Sequence, residues 1–155
     1  MRIITAPDPV LRTACAPIAP SEIKRFKPIA RQMAKLMYKS QGCGLAAPQV
    51  GISKCLIVVD IDPDAEETGP LFFINPVIKR TGGEKIEGDE GCLSIPGISV
   101  PIKRWEIIEV EALDLEGDSF TVEAEGFPAR ALQHELDHLR GTTMFEHLDP
   151  IARIR

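Results

Sequence analysis

Along Ser21 to Tyr38, apolar residues recur at Ile23, Phe26, Ala30, Met33 and Met37. Steps of three and four place them on one face of a helix. Ser21 stands where an N-cap is expected, and Gly42 and Gly44 supply the stop. Pro28 falls inside the pattern, so the helix is expected to kink there or to begin just before it. Gly42–Gly51 then reads as a loop between helix and strand. Beyond it the period changes. Lys54–Ile61, Leu71–Asn75, Val77–Arg80, Ile98–Lys103, Glu106–Leu113 and Ser119–Glu125 are short, rich in β-branched residues and bounded by Gly, Pro or Asp, which predicts strands. Asp62–Gly69 reads as an exposed acidic loop, and Leu115-Glu116-Gly117-Asp118 as a turn. After Gly126 helical spacing returns: Phe127 to Arg140 is predicted as a helix opened by Pro128 and closed by Gly141. Strands followed by a helix, without strict alternation, predict an α+β fold.

The 155 residues suffice for one domain, and 44% hydrophobic with 26% charged residues excludes a disordered or collagen-like chain. Eighteen Lys and Arg against twenty-three Asp and Glu give a net charge of −5, which argues against nucleic acid as the main ligand. The longest apolar run, Cys55 to Val59, is far below the ~20 residues that cross a bilayer, so no membrane is expected. Met1 to Pro7 lacks the apolar stretch of a secretory signal, which points to the cytoplasm. There, Cys15, Cys43, Cys55 and Cys92 read as thiols or ligands rather than disulfides.

The second helix carries Gln133-His134-Glu135-Leu136-Asp137-His138. Imidazoles four residues apart on a helix are separated by about 40° around the axis and about 6 Å along it, so both reach one ion. Glu135 between them lies near enough to a metal-bound water to act as general base, the logic of an HExxH site. A catalytic metal wants a third protein ligand and an open position. The metzincin extension fails, because Met144 stands where its third His would be. Glu146, His147 and Cys92 remain as candidates. Cys92 is favoured: Gly91 and Pro96 interrupt regular structure around it, and such a segment presents a side chain and backbone N–H groups to a site.

Three segments, Gly42 to Gly51 (GCGLAAPQVG), Glu90 to Ser94 (EGCLS) and Gln133 to His138 (QHELDH), resemble in order and spacing the signature motifs of the peptide deformylase family. The likeness runs from about Ile3 to about Phe145. It implies a single catalytic domain over 1–155, with antiparallel or mixed β-sheets packed around a central C-terminal helix carrying HExxH and a long N-terminal helix. It implies a divalent ion, Fe(II) with Zn, Ni or Co as substitutes, held by Cys92, His134 and His138. The substrate it implies is the formyl-methionyl end of newly made polypeptides, and the product formate. Glu135 would be general base and acid, the Gln49 side chain and Leu93 N–H would stabilise the oxyanion, and Gly44 and Gly91 would flank the substrate.

The chain departs from the family pattern in places. Cys43 replaces the usual aliphatic residue, read as packing. Ser99 falls where some members carry an arginine near the methionine pocket. The chain stops at Arg155 with the short basic end Ile151–Arg155, without the C-terminal helix linked to ribosome docking in some bacterial members, leaving at most a transient ribosome contact. Two other readings of the residues are an HExxH peptidase using Glu146 as third ligand and a non-catalytic metal-binding module.

Overall fold

The computed structural model describes residues 1–62 and 69–148. Most of the expected acidic loop (63–68) and the basic end (151–155) lie outside them. Helix α1 (Ile23–Lys39) buries Ile23, Phe26, Ala30, Met33, Ala34 and Met37 along one stripe. It runs through Pro28 rather than starting at it. An interior proline costs about 3 kcal/mol, but each large apolar side chain buried returns about 1.5–3 kcal/mol, and Pro28 itself faces solvent. Burial wins. The cap differs from the expectation: Ser21 lies within a 3-10 turn, Pro20–Glu22, where the Glu22 carboxylate accepts from the Ala19 N–H at 3.1 Å. The helix ends on Gln41 in the left-handed region (φ 60°), with the Gly42 N–H on the Met37 carbonyl at 2.9 Å.

Five strands follow: β1 (Gly44–Ala46), β2 (Leu56–Val59), β3 (Leu71–Cys92), β4 (Ile95–Leu113) and β5 (Ser119–Glu125). They form one antiparallel sheet in sequence order, each strand paired with the next. The predicted loop at Gly42–Gly51 thus contains edge strand β1 and a 3-10 turn, Ala47–Val50. The four short strands expected between Leu71 and Leu113 are two long ones. Register shifts at Ile74/Val77, Ile78/Arg80 and Gly82/Lys85 absorb Pro76 and Gly83, which in an unpaired strand would end it. Asn75, at positive φ, is fixed by its side chain: Oδ1 accepts from the Ile18 N–H and Nδ2 donates to the Ile18 carbonyl, both at 2.8 Å.

Strand β2 is buried on both faces. Ile57 and Val59 pack with Phe73, Ile108, Leu132 and Leu136 against helix α2 (Phe127–Leu139), while Leu56 and Val58 pack with Phe26, Met33 and Met37 of α1. The α+β fold therefore holds its second helix centrally, every residue from Ala131 to Leu139 buried. Gly141 closes α2 at φ 74°, and a Cβ there would stand 2.7 Å from the Arg12 carbonyl carbon, so only glycine fits. Among the described residues, no helix is long and apolar enough to cross a membrane.

Candidate metal centre and active site

Because α2 is central, its charged residues are carried inside. His134, Glu135 and His138 are all buried. Cys92 reaches them as the last residue of β3, where the pairing of Cys92 with Ile95 makes Leu93-Ser94 a tight hairpin turn. The Cys92 Sγ lies 3.4 Å from His138 Nε2, and the donor atoms of Cys92, His134 and His138 all lie within 4.8 Å of one another. Sulfur and nitrogen ligands at ~2.3 and ~2.0 Å from a tetrahedral ion stand roughly 3.3–3.6 Å apart, so the three side chains fit a cation of that kind. Among the described residues, no other cluster of His, Cys or carboxylates does so.

Second contacts fix the imidazole. His134 Nδ1 lies 2.8 Å from Glu90 Oε1, which turns Nε2 toward the thiol. Glu90 is itself gripped by Arg104, whose Nε and NH2 donate to its two oxygens at 2.9 Å each, and by Arg130 at 2.7 Å. Arg104 also donates to Asp137 at 2.5 Å, and His147 Nε2 contacts the same carboxylate at 2.8 Å. Burial alone would raise the Glu90 pKa, but the bonds from Arg104 and His134 prevail and hold it at about 2. Burial alone would lower His134, yet bonds to Cys92 and Glu90 and the charge of Glu135 raise it to about 10. The groups that favour a proton there favour a cation equally. His138, buried and beside His134, is pushed down to about 3 and stays neutral, the form that ligates metal.

Glu135 faces the cavity. Burial lifts its carboxyl to about 7 against the pull of His134. Its Oε2 and the Nδ1 of His138 are buried without a hydrogen-bond partner among the described residues. Gly44 makes room for it: a Cβ on Gly44 would stand 2.9 Å from Glu135 Cγ and 3.0 Å from Cδ. Gln49 is oriented by the Ala46 N–H, which donates to Oε1 at 2.9 Å. Its Nε2 therefore points at Ser94 Oγ (3.1 Å) and Cys92 Sγ (3.5 Å). Gly44, Gln49, Gly91, Cys92, Leu93, His134 and Glu135 line one cavity of about 600 Å³, and His138 joins from behind Cys92. The edge strand β1 forms one wall and the β3–β4 turn another.

Cys92 is paired with Ile95, and the expected irregularity is present on both sides of it: the register breaks between Gly91 and Cys92, and the Leu93-Ser94 turn follows. Glu146 is bonded by the Thr143 hydroxyl at 2.6 Å and His147 by Asp137, so neither joins the ligand cluster. Ser99 lines the cavity opposite Gly91. Cys43 does too, its thiol raised by burial and by Glu135 and so kept protonated. All four cysteines are free. Sequence reasoning gave no role to Glu90, Arg104, Arg130 or Asp137. Glu90 and Asp137 stood inside quoted motifs, which was the available signal; Arg104 and Arg130 carried none.

A family model described as polypeptide deformylase matches residues 1–153. The peptide deformylase of Rhizobium meliloti is 42% identical over 153 residues, covering 97% of this chain and 86% of that protein. Peptide deformylase 1 of Clostridium perfringens is 44% identical over 140 residues, covering 90% and 92%. Among solved structures, a peptide deformylase from Synechococcus elongatus in complex with actinonin superposes with a TM-score of 0.92 at 39% identity, covering 99% of this chain and 83% of that one. The peptide deformylase from Thermotoga maritima gives 0.88 at 39% identity, covering 96% and 97%. Likeness that runs almost end to end in sequence, and is repeated in the course of the backbone, has one meaning: the chain belongs to the polypeptide deformylase family.

Proposed function

We propose a division of labour among the residues of this site, within the activity of the family: the chain is a metal-dependent hydrolase that removes the N-formyl group from newly made polypeptides. Cys92, His134 and His138 hold one divalent ion, Fe(II) in the cell, with Zn, Ni or Co able to replace it. When bound, the ion supplies Lewis acidity, bringing the pKa of water from 15.7 toward about 7. Glu135 takes the proton of the attacking water and returns it to the departing amine. Water oxygen bonds to the formyl carbon, the carbon–nitrogen bond breaks, and formate and a free amino terminus leave. The Gln49 Nε2 and the Leu93 N–H donate to the oxygen on which charge develops; losing one such donor typically costs about 2.7–4 kcal/mol.

The Gly44 and Gly91 backbones flank the peptide as strand partners, reading its main chain while tolerating varied side chains. Residues 1–155 act as one catalytic domain in the cytoplasm, where nascent formyl-methionyl chains are met. The observation that carries this reading is the unpartnered Glu135 Oε2 beside three converging donor atoms. Formate release from a formyl-Met-Ala-Ser peptide tests it. The metal-loaded protein is expected to turn over, and Glu135→Ala to keep its metal while losing nearly all turnover; equal rates from the two would end the reading.

A further inference from the structure

We propose that the N-terminal segment, residues 4–15, is a positioning strap that sets the separation of the two oxyanion donors, an inference that rests on the roles assigned above to Gln49 and Leu93. The Ile4 N–H donates to the Gln49 carbonyl at 2.7 Å, and the Ala6 N–H donates to the Ser94 carbonyl at 2.9 Å. The two amides lie two residues apart on one segment, so the chain between them limits the separation of the carbonyls they hold. The pair is therefore a spacer between the backbone of Gln49 and the Leu93-Ser94 turn. Both acceptors lie in turns, outside the paired strand residues. The Gln49 Nε2 to Ser94 Oγ bond at 3.1 Å joins the same two points through side chains.

The strap is anchored at its other end. Leu11 is buried, the Cys15 N–H donates to the Leu139 carbonyl at 2.9 Å, and the Gly141 α-carbon packs on the Arg12 backbone. One segment thus ties the first motif, the second motif and the end of the helix carrying the third. It does so through main-chain donors, which no residue-type motif reveals.

Ala6→Pro deletes one donor and sets a ring carbon against the Ser94 carbonyl; Ile4→Pro does the same at Gln49, and Thr5→Ala keeps both donors as control. Each proline variant is expected to lose about tenfold in kcat on the formyl-Met-Ala-Ser peptide with KM and bound metal unchanged, Thr5→Ala matching the parent. In a Gln49→Ala background Ile4→Pro is expected to cost less than about twofold, because the donor it positions is gone, whereas Ala6→Pro, which bears on the Leu93 turn, keeps its loss. Parental kcat in both proline variants, or an Ile4→Pro loss undiminished by Gln49→Ala, overturns the strap. A fully active Gln49→Ala enzyme overturns the oxyanion assignment instead. Hydrogen exchange on the unsubstituted protein decides the matter if neither proline variant folds: the Ile4 and Ala6 amides must be protected at least about a hundredfold, and exchange at unstructured-peptide rates refutes the proposal.

Discussion

Gly44→Ala isolates the steric fit between edge strand and general base. Gly44 is not at positive φ, so alanine is conformationally free to enter the strand and the perturbation is the methyl group alone. That methyl would stand 2.9 Å from Glu135 Cγ, 3.0 Å from Cδ and 3.3 Å from Oε1. Ordinary carbon contacts are about 3.5–4.0 Å, so the carboxylate must retreat by roughly 0.5–1 Å. Glu135 is buried, with 3% of its surface exposed, and cannot swing into solvent. A 1 Å misplacement of a reacting group costs about a hundredfold, which brackets the expected loss at about 10–100-fold in kcat. Overpacking itself costs about 1–3 kcal/mol, and each kcal/mol lowers Tm by about 2–4 °C in a domain of this size. Steady-state kinetics, elemental analysis of bound metal and a thermal melt together make the test. A parental kcat, or a defect confined to KM, would refute the reasoning, the latter by moving the role of Gly44 entirely to peptide binding.

Cys92→Ala should reduce bound metal to a small fraction of the parental content, measured after dialysis, since two imidazoles alone make a poor site. Glu90 is held near 2 against an ordinary value of 4.5, so its ion pairs stabilise the metal-free fold fully above pH 4.5, and that contribution is lost as pH falls toward 2. Urea denaturation at pH 6, 4 and 3 should show a steeper acid loss in the parent than in Glu90→Gln. The same variant should bind metal about 10–100-fold more weakly, read by competition with a chelator. Gly141→Ala combines φ 74° with a Cβ 2.7 Å from the Arg12 backbone. It should lower Tm by about 4 °C or more, whereas Gly97→Ala, at φ 77° with no atom near, carries the conformational cost without the clash.

Helix α2 was legible because His134, Glu135 and His138 depend on local periodicity, and β5 because turns at both ends are written in Gly117 and Gly126. The continuity of β3 and β4 was not legible. Pro76 and Gly83 are breakers in a single strand, yet a paired ribbon tolerates them through bulges whose partners lie about 20 or more residues away in sequence. The irregularity read around Cys92 was legible: Gly91 and Pro96 flank a break in register and the turn that follows it. Arg104 and Arg130 resemble the other surface cations; only the folded chain shows that each has a buried carboxylate waiting. Ser21 and Gly42 show the limit of cap chemistry: α1 starts after Glu22 without a side-chain cap, and Gln41 takes the left-handed position, once burial had chosen where α1 would lie.

Glu90, Arg104 and Asp137 are buried and Arg130 half-buried, and the four have equal numbers of positive and negative members. These four residues come from β3, β4 and α2, which share one apolar core. The ligand-bearing helix is thereby fastened to the strands behind it by opposite charges that the chain itself supplies.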